Sequence, residues 1–355
     1  MFDVAIVGSG PAGAACAAFC ARAGVQTLLL EREKFPREKV CGDCLNPACW
    51  PVLARLGVDA AVRQLPHGRL DSVEFIGTSG RSLRIALPRG DNAEIAAKRN
   101  FFDALLMSRA QKLGAEVREG TTVTSVSLSD TVWTIETRGE IFQARVLVAA
   151  DGRNSTVARL CDSLPRATKE RVALQTHLPL PRGFGNRIVL QFLRAGYSGQ
   201  APVGEDQLNL CLVAKPGDIA EVKRWAEEKF AIPQDHSWRT ITPLTRAPIL
   251  STHPCLFLVG DAARVVEPFT GEGIYYALRS GELAAESIIS IVNGGDEELG
   301  RRKFNAAHGT MYRGRLWLNR VARMAVLNPR TTSLALEAVR CQPSILRFMT
   351  AKIVR

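Results

Sequence analysis

The stretch from Asp3 to Glu31 constrains the fold more tightly than any other. An apolar strand pattern at 3–7 runs into GSGPAG at 8–13, then an Ala-rich helical pattern to Ala23 that is closed by Gly24. A second strand pattern at 26–30 stops at Glu31. Strand, tight turn, helix and strand in this order make a βαβ unit, and its two strands must lie parallel in one sheet. Each glycine has its own reason: Gly8 permits the sharp turn, and Gly10 lets backbone approach a pyrophosphate. Gly13 lets the helix that opens at Pro11 and Ala12 pack close to the sheet. Glu31 can accept both ribose hydroxyls of an adenosine. This motif points to a bound dinucleotide and does not separate FAD from NAD.

Two distant segments make that separation. VAADGRNSTVAR (148–159) places Asp151 in an Asp-Gly turn at a strand end. LFLVGDAARVVEPFTGEGIYYAL (256–278) places Gly260 and Asp261 at another strand end, before a loop that opens a helix. An Asp there can bind the hydroxyls of a ribityl chain. Pro268, Gly271, Gly273 and Ile274 then aim backbone N–H groups and a helix N-terminus at an electron-accepting ring. The expected cofactor is FAD. There is no second dinucleotide fingerprint, so NAD(P)H is expected as a transient reductant.

Over residues 1 to about 290, these three motifs resemble the flavoprotein superfamily of geranylgeranyl reductases, para-hydroxybenzoate hydroxylase and flavin-dependent halogenases. The resemblance implies that Glu31 and Arg32 hold the adenosine and that Asp261 holds the ribityl chain. Arg99, in KRNFFDALL, would contact the diphosphate or ribityl region, and Val123 the adenine through its backbone. PREKVCGDCL (36–45) and TGEGIYYALRSGELAAE (270–286) resemble the geranylgeranyl reductase branch, which puts Cys41, Gly42 and Asp43 near the flavin. The aromatic-rich substrate motif of that branch is incomplete. GYSGQAPVGEDQLNLCL (196–212) keeps Tyr197 and Pro202 but lacks the Trp and Phe. A prenyl chain is thus not required as substrate, while an apolar cavity still is. The halogenase lysine and double-tryptophan motif is missing.

Three readings stay open on individual residues. Cys41 and Cys44 form a CxxC, either a redox dithiol or, as favoured here, two unlinked thiols. Asp43 is either a proton donor or acceptor near the flavin or a turn residue. His177, on an alternating strand, either faces the substrate cavity or is structural. The histidines show no metal spacing, so no metal is expected.

Parallel-type and antiparallel-type segments interleave, so the expected class is α/β. A Rossmann-type FAD-binding domain (1–65, 93–160 and 246–295) would carry an inserted antiparallel β-sheet substrate domain (66–92 and 161–245). A basic helical C-terminal segment (296–355) would follow. A chain that is 46% apolar and 23% charged can build such cores. It has no run of eighteen apolar residues, and its first strand begins at Asp3, so a cytoplasmic location is expected. The nine cysteines are expected to be mostly free thiols. The net charge of +11 is confined to residues 301–355, which hold twelve Lys or Arg and one acid, Glu337. That asymmetry points to peripheral contact with an anionic membrane or an acidic carrier, or else to a solvated helical face; nucleic acid is not an expected partner.

The expected function is an FAD-dependent oxidoreductase of a hydrophobic small molecule. The first form is a monooxygenase of a phenolic, polyketide or quinone-type compound, as in secondary metabolism. The alternative is a double-bond reductase of the geranylgeranyl reductase type. A rival from another class is a non-catalytic flavin-bearing protein at the membrane.

Overall fold

The structure, a computed structural model, describes residues 1–41, 43–165, 171–250, 253–266 and 271–313. Gly42, Pro268 and the part of the basic tail from residue 314 onward lie outside the described residues.

Phe2–Val7 is a central strand. It pairs in parallel with Thr27–Leu30 on one side and with Ile141–Ala149 on the other. Glu116–Arg118 extends the sheet beyond Thr27–Leu30, and Leu256–Leu258 lies parallel to the end of Ile141–Ala149. The near-continuous apolar runs at 4–7, 28–30 and 146–149 follow from coverage of both sheet faces. Val4, Ile6, Leu29, Val146 and Val148 meet the helices Pro11–Arg22, Arg99–Lys112 and Gly273–Val292. Ala5, Val7, Leu28 and Leu30 point the other way, onto Trp133, Ile135 and Phe142. Trp133 and Ile135 belong to the antiparallel hairpin Val123–Ser129 and Val132–Thr137, which pairs with the first half of Ile141–Ala149.

A second sheet has seven strands. Their order is Arg239–Ile241, Val172–Pro179, Gln207–Ala214, Gly196–Pro202, Arg187–Phe192, Ser72–Ile76 and Ser82–Ala86. Its pairings are antiparallel except one: Arg187–Phe192 runs parallel to Ser72–Ile76. The sheet expected as antiparallel therefore holds one parallel join, made where two separate excursions of the chain meet. Strand alternation gives the sheet two distinct faces. Leu178, Leu210, Leu212 and Ala214 pack under the helix Ile219–Phe230. The registers His177↔Asn209, Gln175↔Cys211 and Tyr197↔Val213 put those six residues on the opposite face.

A third, small sheet links these layers. Glu94–Ala97 lies between Cys44–Leu45 and His67–Leu70, antiparallel to both. These strands have no counterpart in the sequence analysis. Leu45, Ile95 and Ala97 join the helical core, while Leu70 and Ala96 pack on Ala201 and Val203 beside the seven-stranded sheet. Gly68 is needed here, because a Cβ on it would lie 1.9 Å from the Pro202 carbonyl oxygen. Past the helix Gly273–Val292, Asp296 caps Glu297–Met311 by accepting from the Leu299 N–H at 2.7 Å. Among the described residues no helix is long and apolar enough to cross a membrane.

Candidate active site

The glycine loop is held where the first strand meets the Ala150–Asp151 turn. Gly8 has φ +102°, and a Cβ on it would lie 2.6 Å from the Ala150 carbonyl oxygen. A Cβ on Gly13 would lie 1.9 Å from the Gly8 carbonyl oxygen, so the helix needs glycine there to seat on the strand. Gly10 is open, with its nearest neighbour, Arg37 Nη2, 3.9 Å from the position of a Cβ. The helix beginning at Pro11 and Ala12 has no side-chain cap and no acid in its first turn. Its N–H groups therefore remain available to an anion.

Around this loop the polar groups are partly used. Glu31 is buried and accepts from the Ser9 N–H at 2.8 Å and the Glu33 N–H at 3.0 Å. Arg32 is exposed and pairs with Glu33. Val123 is buried at the start of the hairpin. The Asp151 Oδ2 anchors the helix Thr156–Leu160 by accepting from the N–H groups of Thr156 (2.6 Å) and Val157 (3.1 Å). Its Oδ1 and the Ser9 Oγ are buried without a hydrogen-bond partner. Gly260 and Asp261 form the turn after Leu256–Leu258, and Asp261 accepts from Arg153 at 3.0 Å. Gly271 has φ +67° and precedes Gly273 and Ile274, which open a helix that also lacks a side-chain cap. Open glycines, two uncapped helix ends and orphaned buried oxygens fit a dinucleotide with a polyol linker.

Cations converge on the same place. Arg99 forms a bidentate pair with Asp103, both bonds 2.7 Å long, and Arg37 Nη1 approaches Asp103 to 3.1 Å. Lys39 Nζ lies 3.5 Å from the position of a Cβ on Gly152; burial, then the charges of Arg99 and Arg37, push its ammonium down to about 8. Arg37 and Lys39 carry a signal of their own in the sequence. Both stand in the PREKV run directly before Cys41.

The two sheets meet at Asp43. It is 1% exposed, has φ 59°, and its Oδ2 lies 2.9 Å from His177 Nε2. Asn209 donates 2.8 Å bonds to the same Oδ2 and to the Cys41 carbonyl oxygen, and Gln175 donates to Asn209 Oδ1 at 3.1 Å. Burial pushes the Asp43 carboxyl up, against the hydrogen bond and charge of His177. Asp43 and His177, chosen separately from sequence, are thus one hydrogen-bonded pair. Asn209 was legible only as a polar break in the alternating strand LNLCL.

Cys211 sits beside the Cys41 carbonyl, and burial pushes the thiols of Cys41, Cys44 and Cys211 up. None of the eight cysteines among the described residues is disulfide-bonded. Tyr197 shares a face with His177 and packs against Phe192 and Val213. Pro202 pairs with Leu208, so it stands on the opposite face from Tyr197, at the contact with Gly68. Among the described residues no three His, Cys, Asp or Glu side chains gather as metal ligands.

Comparison with known proteins gives this geometry its context. The FAD binding domain family model matches residues 1–177. A menaquinone reductase of Mycolicibacterium smegmatis is 30% identical over 329 residues, which cover 81% of this chain and 76% of that protein. A geranylgeranyl diphosphate reductase of Rhodobacter capsulatus is 29% identical, with 88% of this chain and 82% of that protein covered. The chain spans 64% of the length of a further curated relative. Among solved structures, PqsL from Pseudomonas aeruginosa, described as a probable FAD-dependent monooxygenase, has a TM-score of 0.78 at 18% identity. That comparison covers 95% of this chain and 99% of PqsL.

Proposed function

The chain belongs to the superfamily of FAD-dependent oxidoreductases that includes the geranylgeranyl reductases, and from that premise we propose that it oxidises or reduces a hydrophobic small molecule. The observation that carries the proposal is the join at Asp43. It ties the loop beside the dinucleotide cradle to a sheet face that becomes apolar away from His177. Gly8, Gly10, Pro11, Ala12 and Gly13 would hold the pyrophosphate, with Arg99 and the cations beside it. Glu31, Arg32 and the Val123 backbone would hold the adenosine. Asp151, Gly260 and Asp261 would hold the ribityl chain, and Gly271, Gly273 and Ile274 the ring. When bound, FAD supplies the electron transfer. Asp43 and His177 would hold or move a proton at the polar edge of that sheet face, and its apolar side chains would keep water from the substrate.

The first reading is a monooxygenase of a phenolic, polyketide or quinone-type compound, with NAD(P)H as transient reductant. A second reading, double-bond reduction, is supported by the two relatives named as reductases and by the Cys41–Asp43 segment. Reconstituted protein should release FAD, not FMN, on denaturation. It should also consume NAD(P)H faster when a phenolic or prenylated lipid is added. Product mass then separates the readings, as a gain of one oxygen or of two hydrogens. Protein that takes up only FMN, or no flavin, removes the proposal.

The described residues 301–313 begin the basic segment. That segment would dock the enzyme on anionic lipid, from which a hydrophobic substrate enters. The same premise divides the chain by role, with the parallel sheet and its helices for cofactor and the seven-stranded sheet for substrate.

A further inference from the structure

Glu94 begins the central strand of the small sheet and is 5% exposed. A carboxyl group taken out of water normally finds a partner. Among the described residues Glu94 has no hydrogen-bond or ion-pair partner, and burial alone pushes it from 4.5 up to about 7. Strand alternation fixes where it faces. Ile95 and Ala97 pack into the helical core, whereas Ala96 packs with Leu70, Ala201 and Val203. Leu70 lies opposite Glu94 and Cys44 opposite Ala96, so Glu94 shares their apolar face, turned toward the seven-stranded sheet. Its Oε1 lies 3.6 Å from the position of a Cβ on Gly271, at the loop that opens the helix Gly273–Val292. Among the described residues the carboxyl is therefore an unpartnered polar point on an apolar face, beside Gly271 of the loop assigned to the cofactor ring. Nearby, Asn46 Oδ1 accepts from the Cys49 thiol at 3.4 Å, while its Nδ2 is buried without a partner.

The geometry points to Glu94 as the residue that selects substrate, donating a hydrogen bond from its carboxyl to a ring carbonyl oxygen of an otherwise apolar, quinone-like molecule. This rests on the reading of the chain as an FAD oxidoreductase of hydrophobic molecules and narrows its substrate class. A protonated carboxyl is a donor for a carbonyl oxygen, whereas an ionised one is only an acceptor and repels it. Of the titratable groups on the elements packed around Glu94, Cys44 shares its face, His67 and Arg69 of the paired strand stand on the other face with Ala97 and Ile95, and Asp43, Cys49, Cys211 and Glu272 lie on adjoining segments. Burial, then the Glu94 charge, pushes the thiols of Cys44 and Cys49 up.

The test titrates the FAD-loaded protein with 2,3-dimethyl-1,4-naphthoquinone and with 2,3-dimethylnaphthalene, following the visible flavin spectrum. The methylated quinone edge prevents addition of cysteine thiols. At about pH 6 the quinone should bind roughly tenfold more tightly than the hydrocarbon, the worth of one buried hydrogen bond, and less so at about pH 8.5. Glu94→Gln keeps a donor, so it should retain the preference and lose its pH dependence. Glu94→Leu should abolish the preference without weakening the hydrocarbon. An unchanged preference in Glu94→Leu, or a wild-type preference indifferent to pH, overturns the assignment. If Glu94→Leu does not take up FAD, the pH response of Glu94→Gln decides. If neither compound perturbs the flavin in wild-type protein, the hydrophobic-substrate reading itself falls and takes the assignment with it.

Discussion

Asp43 occupies the left-handed backbone region, which Asp tolerates better than most side chains, and there it meets His177 and Asn209. Asp43→Asn keeps the size and the turn but removes the carboxylate that meets His177 Nε2 and accepts from Asn209. We expect normal FAD content, turnover reduced at least about tenfold, and a displaced limb of the pH–rate profile. A merely structural Asp43 would leave the profile in place. Glu94 gives a stability prediction of known sign. Its carboxyl is held up at about 7 in the fold, against an ordinary value of 4.5. Its contribution is therefore intact below about pH 4.5 and is lost as pH rises through 7. At 1.4 kcal/mol per unit the loss is of order 3 kcal/mol. Glu94→Gln should therefore unfold at higher denaturant than wild type at about pH 8, and at nearly the same concentration at about pH 5.

At the scale of elements, the helices Pro11–Arg22 and Gly273–Val292 pack backbone against backbone at Gly281. A Cβ on Gly281 would lie 2.2 Å from the Ala12 carbonyl oxygen. Gly281→Ala must push the helices apart, at a cost of about 1–3 kcal/mol, and should weaken FAD binding because both cradle ends move. Isothermal titration of the apoprotein with FAD would measure it; an unchanged affinity would mean that the helices slip without moving the cradle. The elements that sequence patterns revealed are those with one period and one environment. The βαβ start and the helix Gly273–Val292 are examples. The small sheet was not legible, because Cys44–Leu45 is too short for a period and Glu94–Ala97 is buried on both faces. Gly196–Pro202 was recognised as a motif but not as a strand, since Gly196, Gly199 and Pro202 read as turn residues. The site was legible residue by residue, but the Asp43–His177 pairing was not, because it depends on how the two sheets are apposed.

On the scale of the whole molecule, the charge excess lies at one end of the chain and the bulk is nearly neutral. If that end docks on lipid, the protein should co-sediment with anionic vesicles and not with neutral ones, and raised salt should release it. Recovery in the supernatant with both vesicle types would make the basic segment a solvated surface. The parallel join between Ser72–Ile76 and Arg187–Phe192 has a different kind of consequence, one of timing. A ribosome delivers about 5–20 residues per second, so the hairpin at Ser72–Ile76 and Ser82–Ala86 waits roughly 6–20 s for its partner strand. During that interval its inner edge is an open template for any other nascent chain. The yield of soluble protein should thus be set by how long a holding chaperone shields this hairpin during translation, before cofactor supply can matter.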